Sequence, residues 1–271
     1  MTRSDQRATL PSAALPVPRF VGFRTVLALI LREMNSTYGR SPGGYAWAVI
    51  EPIGAILTLS IGFSMVMRNP SLGTSFLLYY ATGYLPFGMW GSSQTKSSSA
   101  IQYSRPMLAY PRVTWIDAIL SRFLLNVLTE TVVLCLVIGG IVLFESTGAE
   151  LDILPVLEAL SLAALIGLGV GLLNSVLGAY FTIWPQIWGI FSRPLFLASG
   201  IFFLYEHLPP IAQAILWWNP LLHITGIFRT GFYPTYNPDY VSHVFVWALT
   251  LSLLALGLVL MRAHHKTVLE R

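Results

Sequence analysis

Six long apolar stretches constrain this chain more than any other feature of its sequence. They lie at Ala46–Met67, Thr74–Gln94, Ile119–Phe144, Ile153–Tyr180, Ile187–Leu204 and Val241–Met261. Each approaches or exceeds the roughly 20 residues that an α-helix needs to cross a bilayer. The pattern therefore predicts an all-α integral membrane protein with six transmembrane helices.

The composition agrees with this prediction and argues against other classes. Of the 271 residues, 55% are hydrophobic and 10% are charged, whereas soluble domains carry about 25% charged residues. This argues against a soluble enzyme and against a disordered chain. The net charge of +4 is too small and too scattered to indicate nucleic-acid binding. The only cysteine, Cys135, lies in an apolar run, so a disulfide framework is excluded and a core position is predicted.

The residues before the first span divide into a tail and a helix. Residues 1–20 contain several prolines and no sustained apolar run, which predicts a flexible cytoplasmic tail. From Val21 to Tyr38, apolar residues recur at spacings of three and four. This run is too short to span and contains arginines, so an amphipathic helix in the headgroup plane is predicted. The expected domains are this helix with its linker (21–45), the transmembrane domain (46–264) and a cytoplasmic tail (265–271).

Basic residues are unevenly distributed between the connecting segments. Most lie before the first span, between the second and third spans, or after the sixth: Arg3, Arg7, Arg19, Arg24, Arg32, Arg40, Lys96, Arg105, Arg112, Arg122, Arg262, Lys266 and Arg271. Lysine and arginine prefer the cytoplasmic side of a membrane. Both termini are therefore predicted to be cytoplasmic, as an even number of spans requires.

The segment between the fifth and sixth spans does not fit a simple extracytoplasmic loop. It contains two apolar helical pieces, Ile211–Trp218 and Leu221–Phe232, which are separated by Asn219 and Pro220. Each piece is too short to cross the bilayer. We therefore predict a re-entrant hairpin that enters the membrane from its outer face, where protein or water covers the backbone.

Motifs for nucleotide binding, metal binding and nucleophilic catalysis are missing from the sequence. The segment from Gly91 to Ser97 lacks the glycine that precedes lysine in an ATP-binding loop. Gly167 and Gly171 lie in an apolar span with no preceding strand, so they indicate close helix packing rather than a dinucleotide site. The histidines have no zinc-ligand spacing. We expect no catalytic residue, metal or cofactor in this chain.

A polar stripe in the third span has two interpretations of equal weight. Arg122, Asn126 and Glu130 are four residues apart and so share one helix face. Such residues usually face a bundle interior, a cavity or one another. The stripe is either a cavity lining with a coupling role or an interhelical polar clasp near the inner surface.

Aromatic residues in the second span also form one face. They fall within an arc of about 140° at 100° per residue: Phe76, Tyr79, Tyr80, Tyr84, Phe87 and Trp90. Such a face can stack on sugar rings, but lipid-facing packing and interface belts also recruit aromatic residues. Composition alone favours packing. Trp184 and Trp188 are interpreted in the same way, as an inner interface belt.

Three motifs in order resemble a known family. They are Leu31–Pro52, which contains Tyr38-Gly-Arg-Ser, Gly44-Tyr-Ala-Trp and Glu51-Pro52, then Tyr103–Arg112, and finally Trp218-Asn-Pro-Leu-Leu-His223. From about Val21 to its C-terminus the chain resembles the membrane subunits of ABC-2 type polysaccharide exporters. Glu51-Pro52 is most similar to the capsular polysaccharide branch.

The resemblance implies two copies of this subunit per pore, above two separate ATPase subunits that bind ATP and Mg. The substrate would be a lipid-linked capsular polysaccharide that crosses the bacterial inner membrane, with periplasmic or outer-membrane partners left open. The ATPase contact would map onto the interface helix and first inner loop, with Arg32, Glu33, Tyr103, Arg105, Tyr110 and Arg112. The resemblance also favours a substrate path along the aromatic face of the second span, with Phe76, Tyr80, Tyr84, Phe87 and Trp90. If the polar stripe is a cavity lining, Arg122, Asn126 and Glu130 belong to the same path.

Two alternatives remain open at this point. One is an exporter of O-antigen, teichoic acid, lipid or drugs from the same superfamily. The other is an intramembrane enzyme that acts on lipid or glycan, which would be active without an ATPase.

Overall fold

A computed structural model of the chain describes residues 21–38, 44, 46–110, 113–145, 148 and 150–270. The regular secondary structure of these residues is helical and includes no strand. The α-helices are α1 (Val21–Tyr38), α2 (Ala46–Ser64), α3 (Phe76–Ser98), α4 (Ala100–Tyr103), α5 (Arg105–Leu108), α6 (Trp115–Phe144), α7 (Ile153–Tyr180), α8 (Trp184–Ala198), α9 (Pro210–Leu216), α10 (Pro220–Thr230) and α11 (His243–Glu270). Residues Tyr205–His207 form a 3₁₀ turn.

Four helices of the described chain are long and apolar enough to cross a membrane, namely α2, α6, α7 and α11. Helix α3 has 23 residues, but its C-terminal part is rich in Ser, Gln, Thr and Lys. Helix α8 has only 15 residues. It ends before Gly200, whose φ of 78° belongs to a left-handed turn. The described chain is therefore a helical bundle with four candidate membrane spans, and the other two predicted spans correspond to the less apolar α3 and the shorter α8.

Helix α7 occupies the centre of the bundle because its glycines let two neighbours approach closely. A methyl group at Gly167 would lie 2.7 Å from the carbonyl oxygen of Trp90, and one at Gly171 would lie 2.7 Å from that of Gln94. On the opposite side, a methyl group at Gly169 would lie 2.8 Å from the backbone nitrogen of Leu254. Helices α3, α7 and α11 thus pack backbone against backbone, as small residues allow in membrane bundles.

Side-chain caps determine where several helices begin. Thr114 and Asp117 form a reciprocal capping box at the start of α6, which satisfies backbone N–H groups that have no partner inside the helix. The side chains of Ser75 and Asp152 accept hydrogen bonds from the first turns of α3 and α7. Asn219 caps α10, and Pro220 occupies its first position, where proline needs no N–H partner.

Neighbouring helices run in opposite directions, and the two ends of the bundle carry different charged residues. The side chain of Arg105 donates to the carbonyl oxygen of Glu270, so α11 ends beside α5. Ser75 donates to Glu145, so α3 begins where α6 ends. We call one end the basic end, with Lys96, Arg105, Arg122, Arg262 and Lys266, and the other the acidic end, with Glu145, Glu150, Asp152, Glu158, Glu206 and Asp239.

Helix α1 has the predicted bounds and packs on α6 near the basic end. Val26 and Leu29 are buried, while Leu27 and Leu31 on another face are exposed. The two predicted pieces of the hairpin are α9 and α10, whose bounds differ from the prediction by at most two residues. Helix α10 is buried along Leu221–Arg229, and α9 has no buried residue.

The prediction for Cys135 is wrong, because its side chain is exposed on α6. In a membrane helix, apolar residues cover the outward face as well as the core. An apolar neighbourhood in sequence therefore does not indicate burial.

Candidate functional site

Arg122 joins three helices at the basic end. Its Nε atom lies 3.0 Å from Oε1 of Glu33 on α1. Its Nη1 atom donates to the carbonyl and hydroxyl oxygens of Ser99, both at 3.2 Å. The guanidinium also lies 4.1 Å from the ring centroid of Tyr103 on α4. The Arg122 side chain is 7% exposed, so the charge is held by these partners rather than by water.

The contacts of Arg122 connect two sets of residues for which separate roles were predicted, the ATPase contact and the substrate path. Glu33 and Tyr103 belong to the expected ATPase-contact segments, and Arg122 to the expected substrate path. A buried guanidinium requires a carboxylate and further acceptors, because desolvation of an unpaired charge is costly. The geometry around Arg122 corresponds to the polar clasp, one of the two interpretations of the stripe.

The rest of the polar stripe also faces α3. The side-chain amide of Asn126 donates to the hydroxyl oxygens of Ser92, at 3.0 Å, and Ser93, at 3.1 Å. Glu130 lies one turn further along α6 and is half-buried. The stripe therefore holds α6 to α3 through polar contacts inside an otherwise apolar bundle.

The aromatic face of α3 divides into two parts. Tyr79 and Tyr80 are 1% exposed, and Tyr80 packs on Phe63 of α2 with ring centroids 5.3 Å apart. Tyr84 meets Phe196 of α8 edge to face, and Phe76 is also half-buried in the core. Further toward the basic end, Phe87 and Trp90 line a surface cavity.

That cavity continues into a second one along α8, and we call the two together the α3–α8 groove. Their volumes are about 430 Å³ and 480 Å³, and both are lined by Gln94, Thr95 and Ser192. Trp184 and Trp188 line the second cavity, one helical turn apart. These tryptophans were predicted to form an interface belt, and Gln94 and Asn174 were not among the predicted site residues. The four-residue spacing of Trp184 and Trp188 is the one sequence signal that marks the α8 side of the groove.

Asn174 and Trp184 form a fixed pair in the groove. The indole Nε1 of Trp184 donates to Oδ1 of Asn174 at 2.9 Å. Asn174 is 9% exposed, and its Nδ2 atom has no hydrogen-bond partner within the described residues. The hydrogen bond fixes the orientation of one indole ring, while the Nδ2 donor of Asn174 is itself buried.

The expected ATPase-contact residues have different surroundings. Arg32 is exposed on α1, and Tyr110 is 61% exposed after α5. Tyr103 is 38% exposed, with one ring face on Arg122. Arg105 contacts the end of α11. Arg112 and the Tyr-Gly-Arg-Ser motif after Tyr38 lie outside the described residues.

A separate cavity of about 960 Å³ opens at the acidic end. Its lining includes Glu150, Asp152, Glu158, Asp239 and His243. The Nδ1 atom of His243 lies 2.8 Å from Glu158 Oε1, which also accepts a hydrogen bond from Trp247 at 2.9 Å. This acidic cavity differs from the α3–α8 groove, whose lining contains no Asp or Glu among the described residues.

Fold and site together define a helical membrane subunit whose sequence contains no nucleotide-binding loop. The sequence profile of the ABC-2 type transporter family matches residues 24–233. The chain belongs to this family. It is therefore a membrane permease subunit, and ATP hydrolysis is the role of a separate partner subunit.

Relatives of known function align along nearly the whole chain. BexB of Haemophilus influenzae, a capsule polysaccharide export inner-membrane protein, is 29% identical over 245 residues, covering 90% of this chain and 92% of the relative. The polysialic acid transport protein KpsM of Escherichia coli is 31% identical over 248 residues, covering 90% and 95%. CtrC of Neisseria meningitidis serogroup A, another capsule polysaccharide export inner-membrane protein, is 25% identical, covering 90% and 92%. Together with the four apolar spans, these relatives place the chain in an inner membrane.

Proposed function

We propose that this chain is the membrane subunit of an ATP-driven exporter that carries a lipid-linked capsular polysaccharide across the inner membrane. The observation that carries the proposal is the alignment with the capsule exporters, which covers 90% of this chain and at least 92% of each of the three relatives. The similarity extends over the whole bundle and is not limited to one shared helix pair.

The proposed topology has six spans, with α3 and α8 added to the four clear ones. The basic end faces the cytoplasm and the acidic end the periplasm, in agreement with the preference of Lys and Arg for the cytoplasmic side. Helix α1 lies in the cytoplasmic headgroup plane, and helices α9 and α10 form a re-entrant hairpin on the periplasmic side. The burial of α10 against α3 and α7 supports this placement, because a re-entrant segment is tolerated in the membrane where protein covers it.

The proposed assembly is a homodimer with two ATPase subunits at the basic end. In one copy, α7 fills the centre of the bundle between α3 and α11, so a path wide enough for a polymer lies between two copies. In this proposed arrangement, the large exposed apolar side chains of α8, among them Ile190, Phe191 and Leu197, face the second copy. ATP binding and hydrolysis would change the relative stability of two pore states through contacts that differ between them.

The proposed substrate path begins at the part of the α3 aromatic face that borders the α3–α8 groove, where Phe87 is half-buried and Trp90 is 4% exposed. Phe87 and Trp90 line the α3–α8 groove, whereas Tyr80 is packed in the core of this structure. The proposal keeps five further residues as ones that stabilise the wall of the path: Phe76, Tyr84, Arg122, Asn126 and Glu130. Any direct contact with polymer would require the helices to separate.

Deletion of the gene in its native host tests the proposed function. We expect polymer to accumulate inside the cell and to disappear from the surface, with recovery when the intact gene is restored on a plasmid. Unchanged surface capsule in a strain without a second copy would overturn the proposal. Loss of surface O-antigen, with capsule intact, would instead identify an exporter of that polymer.

Two measurements test the assembly. Native mass spectrometry in nanodiscs should show two copies of this chain and two of its ATPase. A monomer that transports polymer would contradict the dimer. Purified subunit that modifies lipid or glycan without any ATPase would contradict the transport function.

A further inference from the structure

We propose that the last turns of α11 hold helices α4 and α5 against the bundle and transmit their displacement to the membrane-spanning helices. We call residues 262–270 the α11 tail and residues 100–108 the α4–α5 segment. The inference rests on the proposed function, in which the ATPase docks at the basic end. It makes Val268 and His265 of the tail, with Trp115 of α6, positioning residues for the coupling of ATP hydrolysis to export.

Helix α11 is longer than a membrane crossing requires. Its 28 residues correspond to about 42 Å at 1.5 Å per residue, whereas the hydrocarbon core of a bilayer is about 30 Å thick. The apolar run of α11 ends at Met261, and four basic or imidazole side chains follow it within five residues, namely Arg262, His264, His265 and Lys266. The tail therefore projects beyond the apolar layer at the basic end.

The tail is nevertheless packed, because its apolar side chains lie on the α4–α5 segment. Val268 is 1% exposed and belongs to one apolar cluster with Ala100 and Ile101 of α4, which are also buried. Leu108 of α5 and Leu269 of the tail pack against the same cluster. Helices α4 and α5 have four residues each, and helices this short are not stable alone. Their position therefore depends on the tail that covers them.

Two further contacts fix the tail at both ends of the segment. The side chain of Arg105 donates to the carbonyl oxygen of Glu270 at 3.4 Å. The imidazole of His265 stacks on the indole of Trp115, with ring centroids 5.7 Å apart and planes inclined by 25°. Trp115 begins α6, directly after the inner loop. The tail thus contacts the chain before and after that loop.

The α4–α5 segment has a covered side and an exposed side. Ala100 and Ile101 are covered, whereas Gln102, Pro106 and Tyr110, which follows the segment, are exposed. An ATPase can therefore dock on the exposed side without displacing the tail. The tail lies behind the docking surface and receives any movement of it.

Attachments on two sides of α4 determine where such a movement goes. On one side, Arg122 of α6 contacts the ring of Tyr103 and the carbonyl oxygen of Ser99. On the other, the tail joins α4 to α11, and the hydroxyl of Tyr180 lies 2.7 Å from Nδ1 of His264, which joins the tail to the end of α7. Coupling between sites travels through such packed contacts. A displaced segment must either break the apolar cluster or move α11 with it.

The first test uses Val268→Asn in the complete transporter with its ATPase. The amide has no partner in the apolar cluster, so tail amides should exchange hydrogen with solvent about tenfold faster, as mass spectrometry can measure. The ATPase should stay bound and hydrolyse ATP, while polymer exported per ATP hydrolysed falls by a similar factor. Lys266→Asn makes the same replacement at an exposed position of the tail and should match wild type in each measurement.

The second test fixes the tail to the segment and does not depend on the folding of Val268→Asn. Leu108→Cys and Leu269→Cys are combined with Cys135→Ser, because the native cysteine is exposed, and the new pair is joined by a flexible bis-maleimide. Export per ATP should stay at the value of the same protein without the reagent, since the tail and segment move together. In the Val268→Asn background the cross-link should restore coupling.

Several results would overturn the inference. Export per ATP at the wild-type value in Val268→Asn would reject the tail as a relay, whether or not its amides exchange faster. Loss of export on cross-linking with Val268 intact would show that the segment must leave the tail. Loss of bound ATPase in Val268→Asn, with no repair by the cross-link, would show that the tail only shapes the docking surface. Normal capsule after gene deletion would instead reject the proposed function itself.

Discussion

The Nε atom of Arg122 lies 3.0 Å from Oε1 of Glu33, and this ion pair fastens α1 to α6 beside the C-terminus of α3. Both side chains are nearly excluded from solvent. Glu33 belongs to helix α1. Tyr103, from the first predicted inner loop, packs on the guanidinium of Arg122. A displacement of α1 by a bound ATPase would therefore act directly on α6.

Removal of one member of the Arg122–Glu33 pair should destabilise the protein strongly. For Arg122→Met we expect the free energy of unfolding to fall by about 3–5 kcal/mol, because Glu33 loses its buried counter-charge. Thermal denaturation of the detergent-purified subunit measures the effect. The double variant Arg122→Met with Glu33→Met should recover much of the loss. Strictly additive losses would show that the two charges do not interact.

The exposed ring of Tyr110 should contribute to ATPase association rather than to folding. A buried aromatic anchor at an interface is worth about 2 kcal/mol or more, which is roughly thirtyfold in affinity. Tyr110→Ala should therefore reduce co-purification of the ATPase and export, while thermal stability stays at the wild-type value. Combining it with Tyr103→Ala should weaken association further and also lower stability, since Tyr103 packs on Arg122. Normal association in the double variant would place the contact on α1.

Two glycines of α7 should respond oppositely to the same substitution. Gly171→Ala places a methyl group 2.7 Å from the carbonyl oxygen of Gln94, so α3 and α7 must separate at a cost of about 1–3 kcal/mol. Gly178 has no neighbour within 4 Å of the added methyl. Gly178→Ala should be neutral or slightly stabilising because alanine favours the helix. Comparison of their melting temperatures tests the packing of α3 on α7, and equal effects would contradict it.

His223 should make the stability of the hairpin depend on pH. Its Nδ1 accepts a hydrogen bond from the backbone of Ser242 at 3.2 Å, and its Nε2 lies 2.7 Å from the carbonyl oxygen of Trp217. This geometry fits the neutral ring with its proton on Nε2. Burial lowers the pKa of His223 below its ordinary value, and the nearby His243 acts in the same direction.

The sign of the pH effect follows from that lowered pKa. In the unfolded chain, His223 takes up a proton near pH 6.5. In the folded chain its pKa is lower, so the ring stays neutral at that pH. The free energy of unfolding therefore falls as the pH decreases below about 6.5. Melting temperatures between pH 7.5 and 5 should show this decrease. The decrease should be smaller in His223→Gln and unchanged in His207→Gln, whose histidine is exposed. An unchanged slope in His223→Gln would exclude His223 as the cause.

Local signals in the sequence predicted the positions of the helices well. The spacing of apolar residues placed α1, Asn219-Pro220 placed the break before α10, and Gly167 and Gly171 indicated close packing. Each signal depends on residues a few positions apart, whose relation within a helix is fixed by helical geometry.

The rotation of each helix within the bundle was not predictable in the same way. Hydropathy does not distinguish a lipid-facing side chain from a core one, so Cys135 was placed incorrectly and Tyr80 gave no sign of its burial. The Arg122–Glu33 pair and the Asn174–Trp184 pair also join residues on different helices. Such pairs depend on how helices turn toward one another, which no local spacing in the sequence specifies.

The glycine contacts among α3, α7 and α11 have a consequence for measurements of motion in the working transporter. Helices packed backbone to backbone cannot slide past one another without steric clash, so these three should move as one body. Spin labels on α7 and α11 should keep a constant separation throughout the ATPase cycle. They therefore provide the fixed reference against which labels on α2 and α8 can report opening.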